Sequence, residues 1–462
     1  MDPRFLPHNS HREDPARFSA NDPQLRHLAR CAFRHRSALL DRLPRDTPGI
    51  YSLGGGRQTG KSTLLKQWMA KLLSDAVPPA AISYLTGELI DDHHSLLRHI
   101  ETHLSEAPQG RCNYLIVDEV TYIRDWDMGA KYGADAGMLE DTVLVVTGSD
   151  LSFMQEARMR FPGRRGGAAV SDFHLHPLSF REFVALEGNV VDVESYLREP
   201  SAMPDETVDF IYDAFDRYLL HGGYLTAIND LVAHGAIGQS VLATYSDWIR
   251  GDVLKRGKQE AYLREVLSAI VRRYTSQVTW NGLAQDLSID HPRTVADYVE
   301  LLERMDAVAV LPALREDKLG PAPKQAKKLT FCDPFILHAV RAWLEPPSDP
   351  YNDQILPLLR DPVWSSQMVE ACVANHFRRF FPTYYIKAQG EVDIAYVRDG
   401  RFWPVEIKWT NQLRPKSLKQ IARYGNGEIW SKSRHMGEID GVKVLPLPIE
   451  LLRVGRGDYG AA

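Results

Sequence analysis

One stretch of sequence decides which kind of sheet the N-terminal third of this chain forms: Gly55-Gly56-Arg57-Gln58-Thr59-Gly60-Lys61-Ser62-Thr63. From Gly55 onward it fits GxxxxGK[ST], a glycine-rich loop between a strand and a helix. An apolar run at 49–53 supplies the strand, and apolar residues at helical spacing predict a helix over 62–73. In such a loop backbone N–H groups surround phosphates, the lysine reaches the β- and γ-phosphates, and the serine hydroxyl binds Mg²⁺. A chance glycine turn is the structural alternative, but strand, loop and helix all stand where a nucleotide site needs them. We therefore predict that residues 55–63 bind ATP.

Two further apolar runs predict strands at 81–85 and 114–117, and the second run ends in Asp118-Glu119. We expect Asp118 to hold Mg²⁺ through water and Glu119 to polarise the attacking water. Four apolar residues before two acids form a weak pattern alone, and its position 57 residues after Lys61 strengthens it. A fourth predicted strand, 142–146, ends in Thr147-Gly148-Ser149. Ser149 then touches the γ-phosphate or the lytic water, unless this stretch is a simple strand-to-loop turn.

Five sequence blocks resemble a prokaryotic AAA+-like ATPase family related to the archaeal ATPases and the STAND NTPases. They are Gly55–Thr63, Asp118-Glu119, Asp125-Trp126, Thr147–Ser149 and Pro177-Leu178-Ser179-Phe180-Arg181-Glu182-Phe183. The resemblance implies an ATPase with a parallel sheet, working as an oligomer. Gly56 departs from it by replacing the usual proline of the loop. The segment 161–167 is richer in Arg and Gly than its counterpart. Arg164 or Arg165 is expected to sense the γ-phosphate, in cis or from a neighbouring subunit, and a solvated basic loop is the alternative.

The middle of the chain is predicted to be helical, with helices at 208–220, 224–233 and 238–250. We interpret residues 186–260 as a lid by analogy with the family. Helices at 262–274, 280–287 and 292–305, followed by a strand at 308–311, predict a helix-turn-helix with a wing.

The wing region carries candidate phosphate contacts. Arg293, Thr294 and Asp297 are expected to face outward, and Lys318, Lys324, Lys327 and Lys328 to lie on the wing and contact a DNA backbone. A protein-contact role is the alternative, because acidic residues make this region mixed in charge.

The last hundred residues bring acids and a lysine into one pattern. A helix over 364–379 carries Glu370, and a hairpin turn at Asp399-Gly400 joins strands at 391–397 and 402–408. Strand alternation places Glu406 and Lys408 on one face, and the hairpin brings Asp393 near Glu406. A further helix is expected over 417–424.

This pattern resembles the PD-(D/E)XK nuclease superfamily. The resemblance implies that Asp393, Glu406 and the Ile407 carbonyl hold Mg²⁺ or Mn²⁺, and that Lys408 positions the attacking water or steadies charge. Glu370 then binds a second metal or orients Lys408. A surface salt bridge on a hairpin is the structural alternative, and an inert nuclease-like module is the functional one.

Composition limits the class of protein. With 44% hydrophobic and 25% charged residues, the chain has the balance of an ordinary globular protein, which excludes collagen, disulfide-rich and largely disordered classes. It lacks an apolar run near the roughly 18 residues of a membrane helix, and its start lacks a signal-peptide core. Four widely spaced cysteines predict reduced thiols in a cytoplasmic protein. Residues 1–40 are expected to be a partly disordered arm leading into a helix at 23–43.

Net charge hides a local contrast. The whole chain carries −5, whereas residues 363–462 hold 15 Lys and Arg against 10 Asp and Glu. That segment is therefore at +5 and the remainder at −10. Basic residues cluster at Arg414, Lys416, Lys419 and Arg423 beside the proposed metal site, where phosphate needs neutralising.

The sequence thus predicts an α/β multidomain chain. Its parts are an N-terminal arm and helix (1–40), a P-loop AAA+-like core (41–185), a helical lid (186–260), a winged helix (261–345), a linker (346–362) and a restriction-endonuclease-like domain (363–462). The predicted function is ATP binding and hydrolysis that gates metal-dependent cleavage of nucleic acid, with DNA expected as the substrate. The resemblance suggests defence against phage or mobile elements. The alternative is a nucleotide-switched regulatory or DNA-binding ATPase with an inert nuclease-like module. Expected cofactors are ATP, Mg²⁺ and Mn²⁺; expected partners are nucleic acid and further copies of the chain, without a membrane.

Overall fold

A computed structural model describes residues 1–149, 170–187, 196–197, 203–289, 291–387, 390–413 and 418–454. The chain divides into two compact units, Met1–His176 and Pro177–Ala462. Within the described residues, no helix has the length and apolar character needed to cross a membrane. All four cysteines are free thiols.

The first unit is built on a parallel sheet of five strands in the order β2-β3-β4-β1-β5. The strands are β1 Gly49–Gly54, β2 Ile82–Thr86, β3 Asn113–Asp118, β4 Thr142–Thr147 and β5 Asp172–His174. The helices are α1 Phe18–Asn21, α2 Pro23–Arg30, α3 Lys61–Ser74, α4 His93–Glu106 and α5 Trp126–Asp135. The predicted strands β1 to β4 and the predicted helix α3 are confirmed.

Two apolar cores lie on the two faces of this sheet. Tyr114 belongs to one core, together with Leu65 and Trp68 of α3. The next strand residue, Leu115, belongs to the other core, together with Trp126 of α5. Neighbouring residues of a strand face opposite sides of a sheet, and parallel strands covered on both faces are apolar along their whole length. This explains why the strands read as continuous apolar runs in the sequence.

The N-terminal arm is ordered and packed, so the prediction of partial disorder is wrong. It consists of 3₁₀ turns at Pro3–His8, Ser10–Arg12 and Pro15–Arg17, followed by α1 and α2. The predicted helix over 23–43 ends at Arg30, and a 3₁₀ turn at Ala38–Asp41 follows. The sequence signal failed because single buried residues such as Phe5 and His11 hold the arm, and isolated anchors leave no periodic pattern.

The arm also covers an open edge of the sheet. β2 is an edge strand, and Asn9 pairs with its backbone: the Asn9 side chain donates to Tyr84 O at 2.7 Å and accepts from Tyr84 N–H at 2.8 Å. His11 Nε2 lies 3.1 Å from Ile82 O on the same strand. Exposed edge strands invite pairing with other chains, so these contacts protect the edge of the sheet.

The second unit contains a set of helices and two larger sheets. Its helices are α6 Phe180–Leu186, α7 Asp205–His221, α8 Leu225–His234, α9 Gln239–Lys255, α10 Glu260–Arg272, α11 Trp280–Gln285, α12 Pro292–Arg304, α13 Pro334–Leu344, α14 Leu356–Arg360, α15 Pro362–Arg378 and α16 Leu447–Val454. The helices predicted from 208 to 305 are all present, with shifted ends.

Two short sequence motifs of the second unit have structural roles. In the PLSFREF block, Ser179 and Glu182 form a capping box that starts α6. Asp333 is buried, begins α13 by accepting from Phe335 N–H at 2.9 Å, and accepts from Gly223 N–H at 2.9 Å. Gly222 has φ +56°, and a Cβ there would collide with the Asp333 carboxylate. Gly222 is therefore required by the aspartate beside it, whereas a Cβ at Gly223 would lie 2.1 Å from Leu178 O.

A three-stranded antiparallel sheet in the order β6-β10-β7 accompanies α10, α11 and α12. Its strands are β6 Gln277–Val278, β7 Val308–Pro312 and β10 Lys327–Phe331, and a small ladder joins β8 Leu314–Arg315 to β9 Gly320–Pro321. β6 lies between α10 and α11, and β7 and β10 follow α12. Arg293 and Asp297 are exposed as expected. The three helices and β7 are those that the sequence predicted here, whereas β6, between α10 and α11, was not predicted.

Residues 346–362 were expected to form a linker, and this expectation is wrong. A π-helical turn at Pro350–Ile355 leads directly into α14, and Ile355 is fully buried. Asp349 accepts from Tyr351 N–H and Asp361 accepts from Val363 N–H, and each Asp-Pro pair begins a helical segment. Proline and aspartate favour helix starts as well as loops, so a composition rich in both does not distinguish a linker from a helix start.

The last sheet has six strands in the order β11-β12-β13-β14-β16-β15. They are β11 Thr383–Lys387, β12 Glu391–Arg398, β13 Arg401–Lys408, β14 Glu428–Ser431, β15 Gly437–Ile439 and β16 Val442–Pro446. β11 to β13 form an antiparallel meander, and β13, β14 and β16 run parallel. The helix expected over 417–424 is wrong: in its described part the chain forms only a 3₁₀ turn at Ile421–Arg423.

We predict that Phe5→Ala destabilises the first unit by about 3–5 kcal/mol, because it empties a fully buried aromatic site between the arm and the sheet. Urea unfolding of the full chain measures the loss. The neighbouring variant Leu6→Ala serves as a control, since Leu6 is 43% exposed. Equal stability of the Phe5 variant and wild type would contradict the packed arm.

Candidate functional site

The loop between β1 and α3 has the backbone geometry of a phosphate-binding loop. Gly55 has φ +147°, and a Cβ there would lie 2.4 Å from Leu175 O. Gly60 has φ +98° and stands immediately before α3, while Gln58 is also left-handed. Thr59 Oγ1 donates to Gly56 O at 2.8 Å, which closes the loop. Ser62 and Thr63 then lie in the first turn of α3, where free N–H groups attract anions.

Lys61 lies buried inside this loop. Its Nζ donates to Gly55 O at 2.9 Å and to Gly56 O at 3.0 Å, and it lies 4.0 Å from Glu119 Oε1. The loop therefore curls around its own ammonium group. Arg57 donates to the Tyr122 hydroxyl at 3.5 Å. The structure thus gathers the predicted loop residues around one cationic centre.

Asp118, at the end of β3, accepts hydrogen bonds from three hydroxyl groups. Ser62 Oγ lies 2.6 Å from Asp118 Oδ2, the Tyr84 hydroxyl donates to the same oxygen, and Thr147 Oγ1 lies 2.5 Å from Oδ1. The predicted pair Ser62 and Asp118 is therefore in direct contact. Sequence reasoning missed Tyr84 and Thr147 as site residues. Thr147 is the last residue of β4, which pairs with β3, so it lies beside Asp118 at the same edge of the sheet. The order of the strands was therefore the signal that could have identified it.

Glu119 follows with a strained backbone. Its φ is +54°, and its N–H donates to Thr147 Oγ1 at 2.8 Å. Burial raises the pKa of Glu119, whereas Lys61 and a hydrogen bond from the Ser149 backbone lower it. The Oε2 atom of Glu119 is buried without a hydrogen-bond partner. Ser149 thus lies at the site through its backbone, while Arg164 and Arg165 fall outside the described residues.

These residues fit ATP with Mg²⁺. A hydroxyl in contact with a carboxylate is an all-oxygen donor pair of the kind that Mg²⁺ prefers. The unpartnered Glu119 oxygen, beside a buried lysine, can accept a proton from a water molecule. Ser62 and Asp118 would hold the metal, and Lys61 and the loop N–H groups the phosphates.

In the second unit, the hairpin β12–β13 brings the predicted acids together. Ile394 pairs with Val405, so the next step of the ladder sets Asp393 across from Glu406. Asp393 Oδ2 accepts from Ile407 N–H at 2.9 Å, and Lys408 Nζ donates to Glu406 Oε1 at 2.5 Å. Glu406 is buried, and Glu370 of α15 reaches the same cluster through Lys328.

Lys328 was expected on an exposed wing, and this expectation is wrong. Only 1% of its side chain is exposed, and its Nζ lies 2.7 Å from Glu370, 3.5 Å from Asp393 and in contact with Glu391. The reason is its position on β10, the central strand of its sheet, where alternate residues face inward. Lys318 and Lys324 are exposed, and Lys327 lies 4.9 Å from the centre of the Trp280 ring.

The cluster carries more negative than positive charge. Four carboxylates (Glu370, Glu391, Asp393 and Glu406) face two lysines, Lys328 and Lys408. Burial and the Asp393 charge raise the pKa of Glu406 to about 7, against the opposing effect of Lys408. Burial likewise raises the pKa of Glu370, and Lys328 opposes that rise. The excess of acid is thus energetically costly, and a cation would relieve it.

The donor set limits what cation fits. Among the described residues no three His, Cys, Asp or Glu side chains converge to hold a metal ion. Asp393 and Glu406 remain as a pair, and Glu406 Oε2 is buried without a hydrogen-bond partner. Mg²⁺ is commonly held by one or two carboxylates, with waters and substrate phosphate completing its shell. Asp393 and Glu406 supply two carboxylates of this kind.

Comparison with known protein families agrees with the parallel sheet and phosphate-binding loop of the first unit. The model of the AAA domain family matches residues 47–184. Residues 47–184 form an AAA domain. A second family, a domain of unknown function (DUF8612), matches residues 212–346, which span most of the predicted lid and the predicted winged helix.

Individual relatives are distant. An uncharacterized protein of Haemophilus influenzae is 24% identical over 272 residues, or 56% of this chain and 61% of that protein. The chain thus matches about three-fifths of the length of that relative. A Walker-type ATPase of Pyrococcus abyssi aligns with a TM-score of 0.40 and 15% identity, over 63% of this chain and 91% of that one. Cdc6p from Pyrobaculum aerophilum aligns with a TM-score of 0.26 and 12% identity, over 74% and 97%.

We predict that Thr147→Val slows Mg²⁺-dependent ATP turnover by the AAA domain by roughly 10–100-fold, because it removes hydrogen bonds that orient Asp118 and Glu119. Turnover measured against Mg²⁺ concentration tests this. Thr142→Val makes the same change in β4 at the opposite end of the strand and should leave turnover intact. Equal rates for the two variants would show that Thr147 does not orient the site.

Proposed function

We propose that the AAA domain binds ATP with Mg²⁺ and hydrolyses it. The contact between the Ser62 hydroxyl and the Asp118 carboxylate, with the half-buried Glu119 as the next residue, carries this proposal. When bound, Mg²⁺ supplies positive charge that neutralises the phosphates. Lys61 exchanges its loop carbonyls for phosphate oxygens. Glu119 Oε2 accepts a hydrogen bond from the attacking water and orients it towards the γ-phosphate.

Lys61→Ala is expected to weaken binding of ATP by at least about tenfold, because a hydrogen bond to a charged group contributes about 1.5–3 kcal/mol. Titration with a fluorescent ATP analogue measures this. Lys71→Ala is the matched control, since Lys71 lies on the same helix and pairs with Asp41 at the surface. Normal ATP binding by the Lys61 variant would overturn the assignment of the loop.

We further propose that the Asp393–Glu406 pair supports metal-dependent hydrolysis of a phosphodiester. The buried, unpartnered Glu406 oxygen and the excess of carboxylate over lysine favour this function over a surface salt bridge. Hydrolysis adds water across one P–O bond, so the attacking oxygen loses a proton and the leaving oxygen gains one. Lys408 lies against Glu406, where its ammonium can stabilise the charge that develops on the phosphate.

Nucleic acid is the proposed phosphodiester. Gln420 lies against Gly390, so the turn after β13 lies beside the start of β12, which carries Asp393. Lys419 is exposed on that turn, within a segment whose net charge is +5. A lysine at this place would contact the phosphate backbone of a nucleic-acid strand, while the phosphate to be cleaved lies at Asp393 and Glu406.

Glu406→Gln should lower nuclease activity by at least about a hundredfold, because a metal ligand contributes several kcal/mol to the transition state. The assay incubates plasmid and linear DNA, and RNA, with Mn²⁺ in the presence and absence of ATP. Lys408→Ala should also lose cleavage, while Glu438→Gln, on exposed β15, should keep it. A wild-type protein that cuts neither nucleic acid in any nucleotide state would favour the regulatory ATPase with an inert module.

A further inference from the structure

Lys328 is the residue of the second unit whose surroundings demand an explanation. Its ammonium is buried among three carboxylates: Glu370 of α15 and Glu391 and Asp393 of β12. Together these carboxylates hold the pKa of Lys328 above its ordinary value, although burial alone would lower it.

The backbone of Lys328 is fixed on both sides. β10 pairs with β6, where Lys328 faces Gln277, and with β7, where it faces Leu311. The Tyr385 hydroxyl donates to Ala326 O at 2.7 Å, and Asn375 donates to Phe331 O at 2.7 Å, so both ends of β10 are tied to β11 and α15. Withdrawing the ammonium would leave the largely buried carboxylates of Glu370 and Asp393 without this cationic partner. The Lys328 side chain therefore stays in the cluster and does not leave it to open a site for another cation.

Lys328 lies against Glu370, the residue at which the nuclease resemblance implied a second metal ion. Glu370 was expected to bind such an ion or to orient Lys408. Instead its Oε1 is in contact with Lys328 Nζ, which also reaches Asp393 Oδ1. Lys328 Nζ already lies between Glu370 Oε1 and Asp393 Oδ1, so its charge would repel a divalent ion placed between the same two oxygen atoms.

We infer that Lys328 is a built-in cation that replaces a second metal ion between Glu370, Glu391 and Asp393. The cluster then takes one divalent ion, at Asp393 and Glu406, and Glu370 is not a metal ligand. Lys328 belongs to the region matched by the family of unknown function, whereas its partners lie beyond it. The cation site is therefore composite, and residues 363–462 without β10 lack one of its charges. This inference rests on the proposed metal site.

The test counts Mn²⁺ ions bound by the nucleotide-free full chain, using electron paramagnetic resonance of free Mn²⁺. Wild type should bind one ion. Lys328→Gln should bind a second ion, because three carboxylates lose their ammonium partner. The matched control is Lys327→Gln, which changes the neighbouring lysine and should still bind one ion. Equal counts for the Lys328 variant and wild type would overturn the inference.

Glu370→Gln supplies a measurement that does not depend on the folding of the Lys328 variant. It should bind one Mn²⁺ with unchanged affinity, because Glu370 contacts Lys328 and not the ion. A loss of affinity of about tenfold or more would mean that Glu370 is a ligand and would refute the inference. Should Lys328→Gln unfold without metal, we expect Mn²⁺ to raise its melting temperature more than that of wild type.

Mn²⁺ binding and nucleic-acid cleavage are measured separately, so each can fail without the other. A wild-type chain that binds one Mn²⁺ but cuts no nucleic acid refutes the proposed nuclease and leaves the built-in cation standing. A chain that binds no Mn²⁺, either as wild type or as Lys328→Gln, refutes the built-in cation together with the metal site. Two ions on wild type would refute the built-in cation alone.

Discussion

Buried lysines that must be paired are the constraint on which both units depend. Removing an ammonium from water costs several kcal/mol unless carboxylates and hydrogen bonds replace the solvent. In the first unit Lys66 of α3 is fully buried, 3.3 Å from Asp22 and donating to His8 O at 2.6 Å. Burial lowers the pKa of Lys66 to about 8, and Asp22 opposes the shift. The N-terminal arm supplies both partners, which explains why a segment of low apolar content is nevertheless fixed to the core.

The same lysine connects the arm to the nucleotide site. Its Nζ lies 3.7 Å from the centre of the Tyr84 ring, and the Tyr84 hydroxyl donates to Asp118. Asn9 of the arm binds the Tyr84 backbone from the other side. The carboxylate expected to hold Mg²⁺ is therefore oriented by hydroxyl groups from α3, β2 and β4, and the arm fixes β2. Hydrogen-bond partners of this kind orient the oxygen atoms of a metal-binding carboxylate and adjust the affinity of that carboxylate for the metal ion.

Sequence patterns predicted well what local spacing encodes and poorly what tertiary contacts decide. Strands β1 to β4, the loop around Lys61 and the hairpin carrying Asp393 and Glu406 each follow from a periodic or short motif. Tyr84 and Lys328 do not, because their functional contacts depend on strand order and on burial rather than on neighbours in the sequence. The linker expected at 346–362 failed for the opposite reason: Asp349 and Pro350 are local signals, but they serve a helix start as well as a loop.

The two candidate sites differ in how their lysine is held, and this difference has a chemical consequence. Lys61 donates to the neutral carbonyl oxygens of Gly55 and Gly56. A triphosphate carries full negative charges, which bind an ammonium more strongly than carbonyl dipoles do, so ATP can take Lys61 from its loop. Lys328 is held by carboxylates on a strand paired at both edges. A phosphodiester carries one negative charge per phosphate, which is less than the three acids already in contact with Lys328. Lys61 is therefore suited to exchange partners in each catalytic cycle, whereas Lys328 is suited to keep its partners and to set the charge that its site presents to a metal ion.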